Sequence, residues 1–104
     1  MYSKVVYASE FSIPAHHPAL PGHFPGNPVV PGAVVLDEVI KAAESSPYGV
    51  RIAGVLVAKF LRPLAPGEHC IVELSPQDDG RIRFMCRLRN ELVASGQLVV
   101  ESAV

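Results

Sequence analysis

Three residues in one stretch of the chain are of types that can share a reaction: His23, Gly32 and Asp37. His23 stands between Gly22 and Phe24, and Pro21 and Pro25 stiffen the backbone around it. An imidazole held in this way, with an ordinary pKa near neutrality, can act as a general base. Gly32 is expected to open a helix. The first N–H groups of a helix have no intrahelical acceptor and the dipole favours negative charge there, so the Gly32 N–H can face a carbonyl oxygen. Asp37 lies one and a half turns further on, about 7.5 Å along the axis at ~1.5 Å per residue. It interrupts an apolar face, where an unpaired ionised carboxylate is costly to bury. A base, a carbonyl-polarising donor and a carboxyl group are the set that β-elimination from a thioester requires.

Simpler explanations compete for the same residues. Acidic side chains are favoured near helix N-termini whatever they do. Glu38, about 100° around the helix from Asp37, reads as a solvated or interface residue. His16, His17 and His23 invite a metal site, but an adjacent His-His pair has poor ligand geometry and no Cys or Asp stands at zinc spacing. No metal is expected.

The elements around these residues follow from pattern. Lys4–Ile13 alternates, with Val5, Tyr7, Ser9, Phe11 and Ile13 on one face, as in a half-buried strand. Prolines 14, 18, 21, 25, 28 and 31 then exclude regular structure and leave a rigid loop. From Gly32 to Ser46 the chain reads as a helix, with Pro31 suited to its start and Pro47 ending it. Its apolar residues cover most of the circumference, which describes a buried helix. Val50–Arg62, His69–Leu74, Arg81–Arg89 and Leu92–Val100 read as strands, punctuated by Pro66-Gly67, Asp78-Asp79-Gly80 and Asn90-Glu91. One helix packed into a curled antiparallel sheet is an α+β solution. A helix apolar on nearly every side needs more cover than one small sheet gives, which points to a dimer.

Composition bounds the rest. The 104 residues suit a single domain, 1–104, with a modest core. With 49% apolar and 18% charged residues, disorder is excluded. A net charge of −1 argues against nucleic-acid binding. No apolar run reaches the roughly 18–20 residues of a membrane span. The polar start of the chain does not suit a secretory signal, and Cys70 and Cys86, without CxxC spacing, read as reduced thiols of a cytoplasmic protein.

The segment Gly22-His-Phe-Pro-Gly-Asn-Pro-Val-Val-Pro-Gly32 resembles the active-site motif of the hot-dog-fold β-hydroxyacyl-acyl-carrier-protein dehydratases of bacterial fatty-acid synthesis. Asp37 stands where that family carries its acidic residue, and an Asp there is similar to the dehydratase-isomerase branch. Ala58-Lys-Phe-Leu-Arg-Pro-Leu-Ala-Pro-Gly-Glu68 resembles a second family segment, F-x-R-P-x-x-P-G-D. The lead-in from His17-Pro18 to Gly22 is similar to short dehydratases of aryl polyene pathways. Lys41 departs from the Gln common in the family, and a cation there would hold Asp37 ionised.

The resemblance implies a hot-dog fold, one long helix wrapped by a curled sheet, and a homodimer, higher oligomer or heterodimer with a second hot-dog subunit. It implies removal of water from a 3-hydroxyacyl thioester on acyl carrier protein to give the trans-2-enoyl thioester, with no organic cofactor. His23 would take the α-proton, Asp37 of the other chain would handle the departing hydroxyl, and Gly32 would hold the thioester carbonyl. Phe24, Gly26, Val30 and Pro31 would bind the acyl chain. Arg81, Arg83, Arg87 and Arg89 put +4 on one strand. They form either a solvated face that discourages edge pairing or, with Arg83 and Arg87, a dock for the acidic carrier and its phosphopantetheine phosphate; Arg62 is a further docking residue by resemblance. A hot-dog thioesterase and a non-catalytic acyl-binding subunit are the competing functions.

Overall fold

The computed structural model describes residues 7–17 and 29–101. The elements run β1 (Tyr7–Phe11), α1 (Gly32–Glu44), β2 (Ile52–Phe60), β3 (Cys70–Pro76), β4 (Ile82–Leu88) and β5 (Glu91–Val100). The strands form one antiparallel sheet in the order β1-β3-β4-β5-β2, so β1 and β2 are its edges. This is the expected α+β hot-dog architecture, with α1 lying in the curl of the sheet.

Alternation decides which face meets the helix. Cys70, Val72 and Leu74 of β3 and Ile82, Phe84 and Cys86 of β4 are buried, and they pack with Val34, Val35, Val39, Ala42 and Ala43 of α1. Tyr48 closes one end of this core: it receives the Tyr7 N–H at 3.1 Å and donates to the Leu74 carbonyl at 3.3 Å. Cys70 and Cys86 are free thiols, diagonal neighbours on the β3–β4 pair. Their mutual hydrogen bond and then burial push the Cys86 thiol well above its ordinary pKa.

Three details differ from the sequence expectations. The helix is not buried on every side, because Ala33, Asp37, Lys41 and Glu44 form an exposed stripe at helical spacing. The β4–β5 turn is Arg89-Asn90, one residue earlier than expected, with Arg89 in the left-handed region at φ 58°. Finally, the pairing slips between Cys86 and Arg87, whose partners are Ala94 and Leu92. The unpaired Val93 is a bulge, so Val93 and Ala94 are both buried where simple alternation would bury one.

Edge strand β2 is bulged twice, at Ala53 and Leu56. Leu56, Val57, Phe60 and, just past its end, Leu61 are between 41 and 57% exposed. An edge strand with four apolar side chains this exposed is the kind of edge that folded chains cover or pair. Among the described residues, no helix is long and apolar enough to cross a membrane.

Candidate active site

The N-terminal turn of α1 opens onto an apolar pocket of about 480 Å³. Pro31, extended at φ −60° and ψ 146°, offers no side-chain cap. Its carbonyl takes the N–H groups of Val34 and Val35 at 3.0 and 3.2 Å. The N–H groups of Gly32 and Ala33 come before any intrahelical acceptor. Gly32 lines the pocket with Val29, Val30, Pro31 and Val35; the facing wall is Phe60, Leu61, Pro63, Leu64, Val93 and Ala94. A pocket of this size, apolar apart from the first turn of α1 and the Arg62 guanidinium among its lining, is what small-molecule sites commonly look like.

Of the sequence-derived site residues, Val30, Pro31 and Gly32 are thus brought together on the pocket. Val30 is 4% exposed, and its N–H donates to the Leu64 carbonyl at 2.8 Å, joining the two walls. His23, Phe24 and Gly26 lie outside the described residues.

Asp37 lies on the exposed stripe of α1, not within an apolar face as expected. Within this chain it therefore carries no burial cost; the apolar residues that seemed to surround it point to the other side of the helix. Lys41 does not pair with it. Its ammonium lies 3.4 Å from Glu38, one turn back, and is 73% exposed. Glu38 is the more sheltered of the two acids, on the β1 side of the helix.

The three docking arginines separate. Arg62 lines the apolar pocket and is engaged by Glu91 at 2.8 Å and Glu68 at 3.8 Å. Arg87, on the outer face of the sheet, is paired with Glu73 at 2.9 Å. Arg83 shares that outer face and has no ion pair among the described residues. Arg81 pairs with Asp79 at 3.6 Å, and Arg89 leaves the strand at the turn. His69 is exposed at the sheet edge, 3.7 Å from Glu10.

Sequence reasoning missed the facing wall. Phe60 approaches Gly32 so closely that a Cβ added there would lie 2.9 Å from the ring. Val93 reaches the pocket through the bulge. Phe60 had a signal, since it opens the second motif; Val93 had none, because a bulge is set by pairing between strands and not by local pattern.

The sequence profile of the ApeI-like family, described as ApeI dehydratase, matches residues 3–97. Among curated proteins, a 3-hydroxyacyl-(acyl-carrier-protein) dehydratase FabZ of Ehrlichia canis (strain Jake) is 28% identical over 99 residues, covering 81% of this chain and 67% of the relative. The FabZ of Ehrlichia chaffeensis is 30% identical over 94 residues, covering 81% of this chain and 66% of the relative. The chain thus spans about two thirds of the length of these relatives. Among solved structures, a chain of the dehydratase heterocomplex ApeI:P from Xenorhabdus doucetiae superposes with a TM-score of 0.77 at 20% identity, covering 96% of this chain and 90% of that one. That likeness bears on the fold alone. With the profile spanning nearly its whole length, the chain belongs to the ApeI-like dehydratase family, on a hot-dog fold.

Proposed function

We propose that the chain is a (3R)-3-hydroxyacyl-acyl-carrier-protein dehydratase that works in the cytoplasm as one half of a hot-dog pair. The observation that carries this reading is the apolar pocket opening on the uncapped first turn of α1, with Gly32 on its margin. The acyl chain fits the pocket, and the Gly32 N–H polarises the thioester carbonyl, which acidifies the α-carbon. His23 removes the α-proton, the electron pair forms the C=C bond, and the β-hydroxyl leaves with a proton from Asp37 as water. A proton returning from His23 to Asp37 resets the site.

Asp37 points to the outside of its own protomer, so in this reading the Asp37 that serves a pocket comes from the neighbouring chain. The apolar β2 edge supplies the surface for such a neighbour, a second copy or a different hot-dog subunit; the ApeI-like structural neighbour is itself part of a heterocomplex. Among the described residues, Arg83 and the neighbouring Lys59 are outer-face cations without an ion pair, and they leave positive charge for an acidic carrier. Charge reversal at Arg83 should then slow carrier-bound substrate more than a short thioester mimic; equal slowing of both removes the docking role.

The deciding experiment follows enoyl absorbance with a 3-hydroxyacyl thioester for the wild type and His23→Ala. Loss of at least ~100-fold in the variant is the scale of a removed general base. No alkene from the wild type, across several chain lengths on a carrier, would turn the reading to an acyl-binding subunit. Free thiol in place of alkene would turn it to a thioesterase.

A further inference from the structure

In the second motif, the stretch from Phe60 to Glu68 has no chemical part in the dehydratase reading, yet its arginine has two hydrogen-bond acceptors and a second carboxylate at 3.8 Å. We propose that Arg62 is a positioning residue: it buckles the wall of the apolar pocket in place and, through that wall, sets where the Gly32 N–H sits. The kinetic half of this proposal rests on the dehydratase reading; the structural half does not.

The buckle can be followed bond by bond. Arg62 Nη1 donates to Glu91 Oε1 at 2.8 Å, Nη2 lies 3.8 Å from Glu68 Oε2, and Nε donates to the Pro63 carbonyl at 3.3 Å. One guanidinium therefore joins the start of β5 to both ends of segment 61–68. Glu68 also accepts the Ala65 N–H at 2.8 Å, and the Gly67 N–H, in a left-handed turn at φ 86°, donates to the Ile13 carbonyl at 2.8 Å. The segment so held presents Leu64, 4% exposed, whose carbonyl accepts the Val30 N–H at 2.8 Å, two residues before Gly32. On the other side the Leu61 N–H donates to the carbonyl of Val93 at 2.8 Å.

A stabilising role does not explain this arrangement. Arg62 is a third exposed and Glu91 63% exposed, and ion pairs this wet add little to global stability. Position is another matter, because a displacement of about 1 Å at a reacting group is enough to cost ~10²-fold in rate. A planar fork that holds two carboxylates and a carbonyl suits a geometric task that lysine could do only in part.

The test compares wild type, Arg62→Gln and Arg62→Lys as full chains, by amide hydrogen exchange and by turnover of a short 3-hydroxyacyl thioester mimic. In Arg62→Gln the Val30 and Leu61 amides should exchange at least ~10-fold faster, while the β3–β4 ladder stays within about twofold. Turnover of the mimic should show kcat down ~10–100-fold with KM within about threefold, partly restored by Arg62→Lys. Unchanged exchange at Val30, or a uniform rise across the sheet, overturns the proposal. So does a loss confined to carrier-bound substrate, which would make Arg62 a docking residue. A wild type that makes no alkene overturns the dehydratase reading and leaves the exchange result to decide the role of Arg62.

Discussion

The ring of Phe60 lies on the α-carbon of Gly32, the first residue of α1, so closely that a methyl group there would meet ring carbons at 2.9, 3.1 and 3.3 Å. What the glycine supplies is room for the ring rather than backbone freedom, since its backbone is ordinary helix. The approach brings the end of edge strand β2 against the first turn of α1, where Gly32 lines the pocket. Phe60 is 49% exposed, so its ring has room to swing aside. Gly32→Ala should therefore fold, with a melting temperature within a few degrees of wild type, because the far end of an exposed ring yields cheaply. Its activity should fall ~10²-fold, the scale of a misplaced oxyanion donor. Phe60→Leu added to Gly32→Ala should recover part of that loss, as melting curves and enoyl formation together would show. No loss in the single variant would separate Gly32 from the chemistry.

Asp37 and Glu38 are neighbours with opposite settings, and that makes them a controlled pair. Asp37→Asn changes an exposed side chain, so stability should stay within about 0.5 kcal/mol. Turnover should fall at least ~100-fold if Asp37 delivers the proton to the leaving hydroxyl. Glu38→Gln removes the partner of Lys41 at 3.4 Å and should leave turnover within about twofold. If Asp37 serves the pocket of the neighbouring protomer, mixing His23→Ala with Asp37→Asn should restore activity that neither has alone. For a randomly re-formed two-fold dimer the ceiling is about a quarter of wild type, since half the dimers are mixed and each has one intact site. No recovery after verified subunit exchange would place both residues in one protomer, against the exposed position of Asp37.

Much of this architecture was legible in the sequence because it rests on local rules. Alternation gave the buried faces of β3 and β4 through Cys70, Val72, Leu74, Ile82, Phe84 and Cys86. Pro31 and Pro47 bracketed α1, whose last turn ends at Glu44. What escaped was set by pairing at a distance. Arg62 meets a carboxylate 29 residues away, and nothing near either residue announces it. The Val93 bulge adds a second buried residue to β5, and only the partner strand determines where it falls. The Leu88–Glu91 pairing makes Arg89 and Asn90 the connecting residues, and Arg89 takes the positive φ although Asn is the commoner left-handed residue. The exposed setting of Asp37 escaped for another reason. In a helix with so many apolar residues, periodicity does not single out the solvent side, and the stripe through Ala33, Lys41 and Glu44 is clear only once the sheet is in place.

Two glycines of the same sheet give opposite expectations. A Cβ on Gly96 of β5 would fall on the carbonyl oxygen of Val57 and lie 2.7 Å from the ring of Phe84. Phe84 is fully buried and the carbonyl is backbone, so neither can give way. The Val57 carbonyl is there because β2 bulges at Leu56, next to it. Gly96 is therefore the residue that lets a bulged edge strand approach its neighbour, and through β2 it holds Phe60 where it packs on Gly32. Gly54 of β2, by contrast, has nothing within 4 Å of the same added atom and its φ is not positive. Gly96→Ala should cost about 2–3 kcal/mol as overpacking. For a chain of this size that is a fall of roughly 10–20 °C in Tm. Gly54→Ala should be neutral or raise stability by up to ~1 kcal/mol, because the substitution narrows the unfolded ensemble without a clash. Denaturant and thermal melts of the two variants would check both. If Gly96→Ala melted like wild type, the close approach of β2 to β5 would not be a feature of the protein in solution, and the packing of Phe60 against Gly32 would lose its support.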